Sequence, residues 1–263
     1  MELGHIPCPS DFIFRTNDPN FIQPIMPMTI SDSGECAMEK NESIQPNKSE
    51  IKEKIRAFWD NPGHDYDASP GHGVNSPSEK EMWRRAMNQL LGSSRDLKIL
   101  DVGTGTGFLA LLLADMGYNV TGVDWAESKI QKARDKAADQ KIRVNFEVQD
   151  AEMLSFPDNA FDAVVSRHVI WTLADPLAAA RDWIRVVRPK GRVIADIPHM
   201  KSHTGNHHFG DQVGRNLPFY SGAEPEKVAG MFRKAGLTKV DLLELERPAD
   251  LDKTTVLVYG EKG

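Results

Sequence analysis

The sequence predicts an α/β fold in which a seven-stranded, mainly parallel sheet carries helices on both faces and follows a helical cap. Two observations predict it. Strand-like and helix-like segments alternate from residue 98 onwards, and the last two apolar segments follow one another without a helix between them. Alternation is typical of parallel strands joined by helices. Two consecutive strands favour a hairpin, so we expect the last strand to be antiparallel.

Seven segments have the apolar composition of strands. They are residues 98–102, 119–123, 142–148, 161–166 and 191–197, then VDLLELE (240–246) and TTVLVYG (254–260). The clearest helix between them covers 176–187, with Asp175 as its N-cap and Pro176 at its first position. A last helix over 225–235 ends at Gly236.

Two amphipathic helices precede the first strand and predict a helical N-terminal cap over residues 49–92. Ser49 is placed to cap the first helix. Ser78 and Glu81 have the spacing of a capping box at the start of the second helix, which Gly92 closes. The apolar faces of the two helices are Ile51, Ile55, Phe58 and Trp59, and Trp83, Ala86, Met87 and Leu90.

Residues 1–48 differ in composition from the rest of the chain. They contain six prolines and show no amphipathic period, so we expect a disordered tail. An alternative is that translation starts at Met38 and that the residues before it are not native. Residues 49–263 are expected to form one α/β domain.

The overall composition is that of a globular protein: of 263 residues, 40% are hydrophobic and 27% charged, with a net charge of −6. No segment is basic enough to bind a phosphate backbone, so nucleic acid is not an expected partner. Cys8 and Cys36 lack the spacing of a disulfide framework or a zinc site. We see no signal peptide and no membrane span, and expect a cytoplasmic protein, monomeric or homodimeric, without a membrane partner.

The turn DVGTGTGF, residues 101–108, has glycine at every second position after the first strand. Glycine adopts torsions closed to other residues and lets a ligand approach the backbone, and open α/β sheets bind ligands at this edge. The phosphate-binding pattern G-x-G-x-x-G would need glycine at position 108, which is Phe108. Asp101 suits a ligand with an ammonium group better than it suits a pyrophosphate.

Together with this turn, the stretch DAEMLSFPDNAFDAVVSRHVIWTLADPLAAARDWIRVVRPKGRVI (150–194) resembles the class I S-adenosylmethionine-dependent methyltransferases. The resemblance is to the small-molecule subgroup related to the ubiquinone and menaquinone methyltransferases. It covers about residues 50–263 and departs from the usual LPFPD at Ser155, a turn position. It implies a Rossmann-like fold, S-adenosyl-L-methionine as the cofactor and a small-molecule methyl acceptor.

The resemblance also implies a set of cofactor-binding residues. They are Tyr66, Asp101, Gly103, Thr104, Gly105, Gly107, Asp124, Trp125, Asp150, Ala151 and Arg167. In this set Asp101 lies near the ammonium group, Asp124 accepts from both ribose hydroxyls, and Trp125 lies against adenine. Asp150 takes the adenine amino group, and Arg167 or His168 borders the methionine moiety and the transferring methyl. The residues alone leave other roles open: a helix cap for Asp124, a turn acid for Asp150 and a core position for Trp125.

Most histidines fall in segments expected to border the ligand. They are His64, His72, His168, His199, His203, His207 and His208. We take His168 as the first candidate for a general base, and His207 or His208 as the second, because an imidazole pKa near 6.5 suits proton transfer. The alternative for His168 is packing under the cofactor. Methyl transfer mainly needs donor and acceptor to be oriented, so only some acceptors require a base.

The segment after the fifth strand is long for a strand-to-helix connection, and residues 199–224 are therefore predicted to form a substrate lid. The expected substrate-binding residues are His72, Trp171, His199, His203 and Phe219. A plain core position is the alternative for Trp171. Three lid histidines recur every four residues, as metal ligands on a helix would, but Gly205 argues against a regular helix and no metal is predicted.

The predicted function is transfer of the methyl group of S-adenosylmethionine to a small molecule, with O-methylation slightly preferred over S-, N- or C-methylation. The histidine-rich, aromatic face favours a compact acceptor. One rival is an NAD-dependent dehydrogenase, which Phe108 and the terminal hairpin disfavour. The other is a non-catalytic regulator that binds S-adenosylmethionine.

Overall fold

The computed structural model describes residues 29–30, 36–37, 47–61, 67, 76–198, 209–220, 222, 224–246 and 254–263. The chain divides into two units, Met1–Gln45 and Pro46–Gly263. In the first unit, β1 (Thr29–Ile30) pairs antiparallel with β2 (Cys36–Ala37). Most of the segment expected to be a disordered tail lies outside the described residues.

The second unit is built on a seven-stranded sheet. Its strands are β3 (Lys98–Val102), β4 (Asn119–Asp124), β5 (Asn145–Val148), β6 (Phe161–Ser166), β7 (Val187–Pro198), β8 (Leu237–Glu244) and β9 (Thr255–Lys262). The order is β5-β4-β3-β6-β7-β9-β8, and β9 runs antiparallel to both of its neighbours while the other six strands share one direction. The predicted mainly parallel sheet with an antiparallel last strand is confirmed.

Helices cover both faces of this sheet and precede it. They are α1 (Lys48–Trp59), α2 (Pro77–Leu91), α3 (Phe108–Asp115), α4 (Glu127–Gln140), α5 (Pro176–Val186), α6 (Asp211–Gly214) and α7 (Pro225–Ala235), with a 3₁₀ turn at Ile170–Thr172. The predicted strand bounds differ most at three starts: β5 begins three residues later than predicted, β7 begins four residues earlier, and β8 begins three residues earlier.

Two predicted helix caps were wrong. Helix α1 is capped by Asn47 rather than Ser49: the N–H of Glu50 donates to Asn47 Oδ1 at 3.0 Å, and the Asn47 N–H donates to Glu50 Oε2 at 3.2 Å. This reciprocal pair satisfies two backbone donors at once. Helix α2 is capped by Ser76 rather than Ser78, because Ser76 Oγ accepts from the N–H of Glu79 at 3.0 Å.

The sheet carries a hydrophobic core on each face. Alternate residues of one strand point to opposite faces, as with Leu100 on the α5 and α7 side and Ile99 on the α2 to α4 side. Trp183 and Trp83 anchor the two cores, and each is at most 2% exposed. Burying side chains of this size stabilises the fold by roughly 1.5–3 kcal/mol each, which makes the sheet edge a rigid platform.

A third core cluster holds α1 against the segments that follow β6 and β7. Its fully buried members are Ile51, Ile55, Trp171, Ala174, Val213, Leu217 and Tyr220. The cluster joins the helical cap to the segment at 209–220, so both border the same edge of the sheet. Among the described helices, none is long and apolar enough to cross a membrane.

Candidate functional site

A cleft of about 690 Å³, partly open to solvent, lies at the carboxyl ends of β3, β4 and β6. Its lining residues are Trp59, Gly103, Gly105, Asp124, Trp125, Lys129, Asp150, Ala151, Glu152, Arg167, His168, Val169, Thr172 and Leu173. Eight of the predicted site residues therefore lie together in this cleft: Gly103, Gly105, Asp124, Trp125, Asp150, Ala151, Arg167 and His168. The grouping follows from parallel strands, whose carboxyl ends meet at one edge of the sheet.

The glycine turn forms the floor of this cleft. Gly103 has φ 68° and Gly105 has φ 55°, torsions that favour glycine. A Cβ on Gly103 would clash with Cγ2 of Val169, whereas a Cβ on Gly105 would meet no atom within 4 Å. Gly103 is therefore needed for packing, while Gly105 leaves open space for a ligand. Gly107 faces away from the cleft, because its Cβ would lie 3.0 Å from Cβ of Ala133 in α4.

Asp101 lies behind the turn and borders a smaller recess of about 340 Å³ that also includes Thr104 and Arg167. Its side chain is 1% exposed. The Thr104 hydroxyl donates to Asp101 Oδ2 at 2.7 Å, but Oδ1 is buried without a hydrogen-bond partner among the described residues. Burial raises the pKa of Asp101 to about 7, against the lowering effects of the Thr104 hydroxyl and the Ala110 N–H. The recess thus borders one buried carboxylate oxygen, Asp101 Oδ1, that has no hydrogen-bond partner among the described residues.

Asp124 ends β4 and ties the glycine turn to the start of α4. Its Oδ2 accepts from the Gly105 N–H, and its Oδ1 accepts from the Ala126 N–H, both at 2.9 Å. Burial raises the pKa of Asp124, although both N–H groups oppose that shift. Each carboxylate oxygen has a second lone pair that a ligand hydroxyl could use. Asp124 therefore supports the local backbone and also lines the cleft.

Asp150 follows β5 and is paired with a lysine that the sequence reasoning missed. Lys52 Nζ in α1 lies 2.5 Å from Asp150 Oδ2 and 3.4 Å from Glu152 Oε2. Asp150 Oδ1 accepts from the Glu152 N–H at 2.9 Å, which makes the turn compact. Burial lowers the pKa of Lys52, but the hydrogen bond to Asp150 and the charge of Glu152 outweigh it and raise the pKa overall. This ion pair fastens the helical cap to the rim of the cleft.

Arg167 lies in the wall between the cleft and the recess and is 9% exposed. Its guanidinium carbon lies 5.0 Å from the ring centroid of Phe108 and 5.7 Å from that of Trp83. One guanidinium nitrogen lies 3.9 Å from Glu79 Oε1. Stacking on aromatic faces stabilises a buried guanidinium, so a positive charge is held beside the glycine turn.

His168 has a buried carboxylate behind it that the sequence analysis did not identify. The His168 N–H donates to Asp196 Oδ1 at 2.5 Å, and His168 Nε2 lies 3.3 Å from Asp196 Oδ2. Asp196 is 1% exposed. Burial raises the pKa of Asp196 to about 6, with Arg167 and the His168 N–H acting in the opposite direction. In the sequence, the feature that could have identified Asp196 as a site residue is its position near the end of the strand predicted over 191–197.

The aromatic residues divide between cleft and core. Trp171 is 4% exposed and stacks on Phe209 with ring centroids 5.8 Å apart; it does not line the cleft. Trp59, whose ring centroid lies 6.2 Å from that of Trp171, lines the cleft instead. Phe219 is half-buried and packs against two core clusters. The structure thus places Trp171 in its alternative, core position.

Six of the predicted site residues lie outside the described part of the chain. They are Tyr66, His72, His199, His203, His207 and His208. The predicted lid is described only over 209–220, 222 and 224, where α6 is its one helix. Among the described residues, no group of three His, Cys, Asp or Glu side chains could hold a metal ion.

Residues 100–195 match a family model described as a methyltransferase domain. A stretch of 150 residues is 31% identical to the ubiquinone/menaquinone biosynthesis C-methyltransferase of Bdellovibrio bacteriovorus, covering 56% of this chain and 63% of that protein. A stretch of 96 residues is 34% identical to the ubiquinone biosynthesis O-methyltransferase of Coxiella burnetii, covering 36% and 41%. The chain therefore spans less than two thirds of the length of these curated relatives.

Among solved structures, the chain is similar to the PH0226 protein of Pyrococcus horikoshii. The TM-score is 0.60 and the sequence identity 25%, and the match covers 75% of this chain and 98% of that one.

Proposed function

We propose that the cleft binds S-adenosylmethionine and that the protein transfers the methyl group to a small molecule, as the match of residues 100–195 to a methyltransferase domain supports. The observation that carries the proposal is Asp101 Oδ1, a buried carboxylate oxygen beside the glycine turn that has no donor among the described residues. An ammonium group in the recess would supply the missing donor and neutralise the carboxylate.

The residues around the recess fit the amino-acid part of the cofactor. Asp101 suits the ammonium, and the Arg167 guanidinium, which lines the same recess, suits the carboxylate. Gly105 also lines this recess, and a Cβ there would meet no atom within 4 Å, so the backbone is accessible to a ligand. A pyrophosphate would be repelled by Asp101 and Asp124, which both border the turn, so the charge pattern supports an amino acid joined to a nucleoside.

The other end of the cleft fits the nucleoside. Asp124 offers acceptor lone pairs for the two ribose hydroxyls. Trp125 provides an apolar face for adenine, and Asp150 an acceptor for its amino group. Asp150 already binds Lys52, so adenine would share the carboxylate with the helical cap.

In the proposed reaction the protein acts mainly by holding two reactants in line. When bound, S-adenosylmethionine supplies an electrophilic methyl group on a sulfonium. Orientation of this kind is worth roughly 7–11 kcal/mol. Trp59 lines the cleft and would exclude water from it, and His168, which lines the same cleft, would take a proton from the acceptor.

The acceptor is proposed to be a compact molecule that is methylated on oxygen. The support is the imidazole in the cleft wall, which benefits a hydroxyl acceptor and hardly benefits a thiolate. The matched relatives carry names for both C- and O-methylation, so the atom needs a direct test. We expect a ¹³C-methyl label from S-adenosylmethionine, incubated with a metabolite extract, to appear with the NMR shift of an O-methyl group. A C-methyl product would contradict this preference.

Calorimetry on the full chain tests the proposed cofactor. Titration with S-adenosylhomocysteine is expected to give saturable binding, and titration with NAD is expected to give none. Saturable NAD binding without S-adenosylhomocysteine binding would overturn the proposal.

A further inference from the structure

We propose that Asp67 is a second binding carboxylate of the recess and that, together with Asp101, it holds the ammonium group of the cofactor. The inference rests on the proposed function and deepens it, because it adds a residue from the segment between α1 and α2 to the cofactor site. The sequence analysis assigned Tyr66 to the cofactor but gave its neighbour Asp67 no role.

The Asp67 carboxylate is bound to both the glycine turn and α4. The Thr106 hydroxyl donates to Asp67 Oδ1 at 2.6 Å, and Lys136 Nζ donates to Asp67 Oδ2 at 2.7 Å. Thr106 is 3% exposed and belongs to the turn itself. The carboxylate is therefore held against the same backbone segment that a ligand in the recess has to approach.

Asp67 and Asp101 line the same recess, whose volume is about 340 Å³. An ammonium has three N–H donors, whereas Asp101 offers one oxygen, Oδ1, that has no partner among the described residues. Each Asp67 oxygen accepts one hydrogen bond from the protein and keeps a second lone pair. The two acids together therefore offer an ammonium more acceptors than Asp101 alone.

The two acids differ in their charge near neutral pH. Burial raises the pKa of Asp67, but the hydrogen bonds from Lys136 and Thr106 and the lysine charges of α4 outweigh it and lower the pKa overall. The pKa of Asp101, by contrast, is raised by burial to about 7. Asp67 thus keeps its negative charge when Asp101 is partly protonated, and an ammonium in the recess meets one ionised carboxylate in either case.

The recess also holds the opposite charge that an amino-acid group needs. Arg167 lines it together with the two acids, and its guanidinium is the cation that suits the ligand carboxylate. Lys136 is paired with Asp67 and does not line the recess. The recess thus matches a group that carries one positive and one negative charge.

The test is calorimetry at pH 7.5 on the full chain with two ligands, S-adenosylhomocysteine and its deamino analogue, which has hydrogen in place of the ammonium. In Asp67→Asn the amide oxygen can keep the Thr106 hydrogen bond while the charge is lost. We expect this variant to bind S-adenosylhomocysteine about two- to fivefold more weakly, as for a part-exposed ion pair, and to bind the deamino analogue as the wild type does. An equal loss for both ligands, or no loss for S-adenosylhomocysteine, would overturn the proposal.

Asp115→Asn is the matched control. Asp115 pairs with Arg84 and lines, with Asp67 and Lys136, a larger groove beside α3, but it does not line the recess. Its replacement should therefore leave both affinities unchanged.

Lys136→Met gives a second measurement that does not depend on the folding of Asp67→Asn. It keeps the Asp67 carboxylate and removes its lysine partner, so S-adenosylhomocysteine should bind about 1.5- to 3-fold more tightly while the deamino analogue gains nothing. The absence of this gain would overturn the proposal as well.

The two ligands also separate this inference from the proposed function. Binding of neither ligand by the wild type would overturn the proposed function and this inference with it. Wild-type binding of S-adenosylhomocysteine that both variants leave unchanged would overturn the role of Asp67 alone.

Discussion

Lys52 Nζ lies 2.5 Å from Asp150 Oδ2, and this ion pair fastens α1 to the turn after β5. Both side chains are about three-quarters buried, with 23% and 26% of their surface exposed. A second ion pair, between Lys48 and Asp175 at 2.6 Å, joins the same helix to the start of α5. The helical cap is therefore held over the cleft by charges as well as by its apolar face.

Replacing Lys52 with methionine should loosen the cap over a bound ligand. Part-exposed ion pairs contribute about 0.2–1 kcal/mol, so we expect S-adenosylhomocysteine to dissociate about 1.5- to 5-fold faster. Stopped-flow displacement measures this rate. Lys54→Met, at an exposed position of the same helix, is the control and should leave it unchanged. Equal rates in the two variants would show that the ion pair does not retain the ligand.

Replacing Asp124 with alanine should weaken S-adenosylhomocysteine binding by about 1–3 kcal/mol, because a buried acceptor for the ribose hydroxyls is lost. The variant also removes the acceptor for the N–H groups of Gly105 and Ala126, so some loss of stability is expected. Calorimetry with urea unfolding in parallel separates the two effects. Glu127→Ala, exposed in the first turn of α4, is the control. Wild-type affinity in Asp124→Ala would remove this residue from the site.

Asp101 should make the free energy of unfolding depend on pH. Its pKa is about 7 in the folded state and 3.8 ordinarily, so between these values the folded state keeps a proton that the unfolded state has lost. The contribution of Asp101 to the free energy of unfolding is therefore fully present below pH 4 and is lost as the pH rises to 7. Relative to Asp101→Asn, the wild type should lose on the order of 2–4 kcal/mol between pH 4 and pH 8. Urea unfolding at both pH values checks this, and parallel curves would contradict it.

The same group should make ligand binding depend on pH in the opposite direction. Only the ionised Asp101 carboxylate pairs with an ammonium, so S-adenosylhomocysteine affinity should fall roughly five- to tenfold from pH 7.5 to pH 6. In Asp101→Asn the affinity should be lower at pH 7.5 and change little over this range. Calorimetry at the two pH values measures both proteins, and the same pH dependence in the variant would exclude Asp101 as its source.

The two cleft glycines should respond differently to alanine. Gly103→Ala places a Cβ against Val169 at a positive φ and should destabilise the fold by about 2–4 kcal/mol. Gly105→Ala meets no protein atom, so it should cost about 1 kcal/mol of stability and act mainly by lowering ligand affinity. Thermal unfolding and calorimetry compare the two variants. An equal loss of stability would contradict a packing role for Gly103 and a ligand-access role for Gly105.

Much of this architecture could be predicted because local sequence patterns, such as apolar periodicity and the spacing of capping residues, determine it. Periodicity placed all seven strands, and the two apolar segments at the end predicted the antiparallel β9. The sequence also carries the signal for the observed cap of α1, because Asn47 and Glu50 have the spacing of a capping box, whereas the predicted cap Ser49 lies within the helix. Strand lengths were less predictable, because β7 extends into the polar residues before position 191, where no apolar alternation marks it.

The site was predictable only where it follows strand ends. Gly105 was identified from the glycine turn after the first strand, and the resemblance to the methyltransferases implied Asp124 and Asp150; all three line the cleft. Lys52 was missed because it contacts Asp150 across 98 residues, a pairing that depends on how α1 packs. Asp196 was missed because its role depends on β7 lying beside β6.

A crystal structure of the full chain with S-adenosylhomocysteine tests the central claim most directly. The account predicts the amino nitrogen of the ligand at hydrogen-bonding distance, about 2.7–3.2 Å, from Asp101 Oδ1, with both ribose hydroxyls on the Asp124 carboxylate. A ligand bound away from the glycine turn, or an ammonium directed away from Asp101, would contradict it.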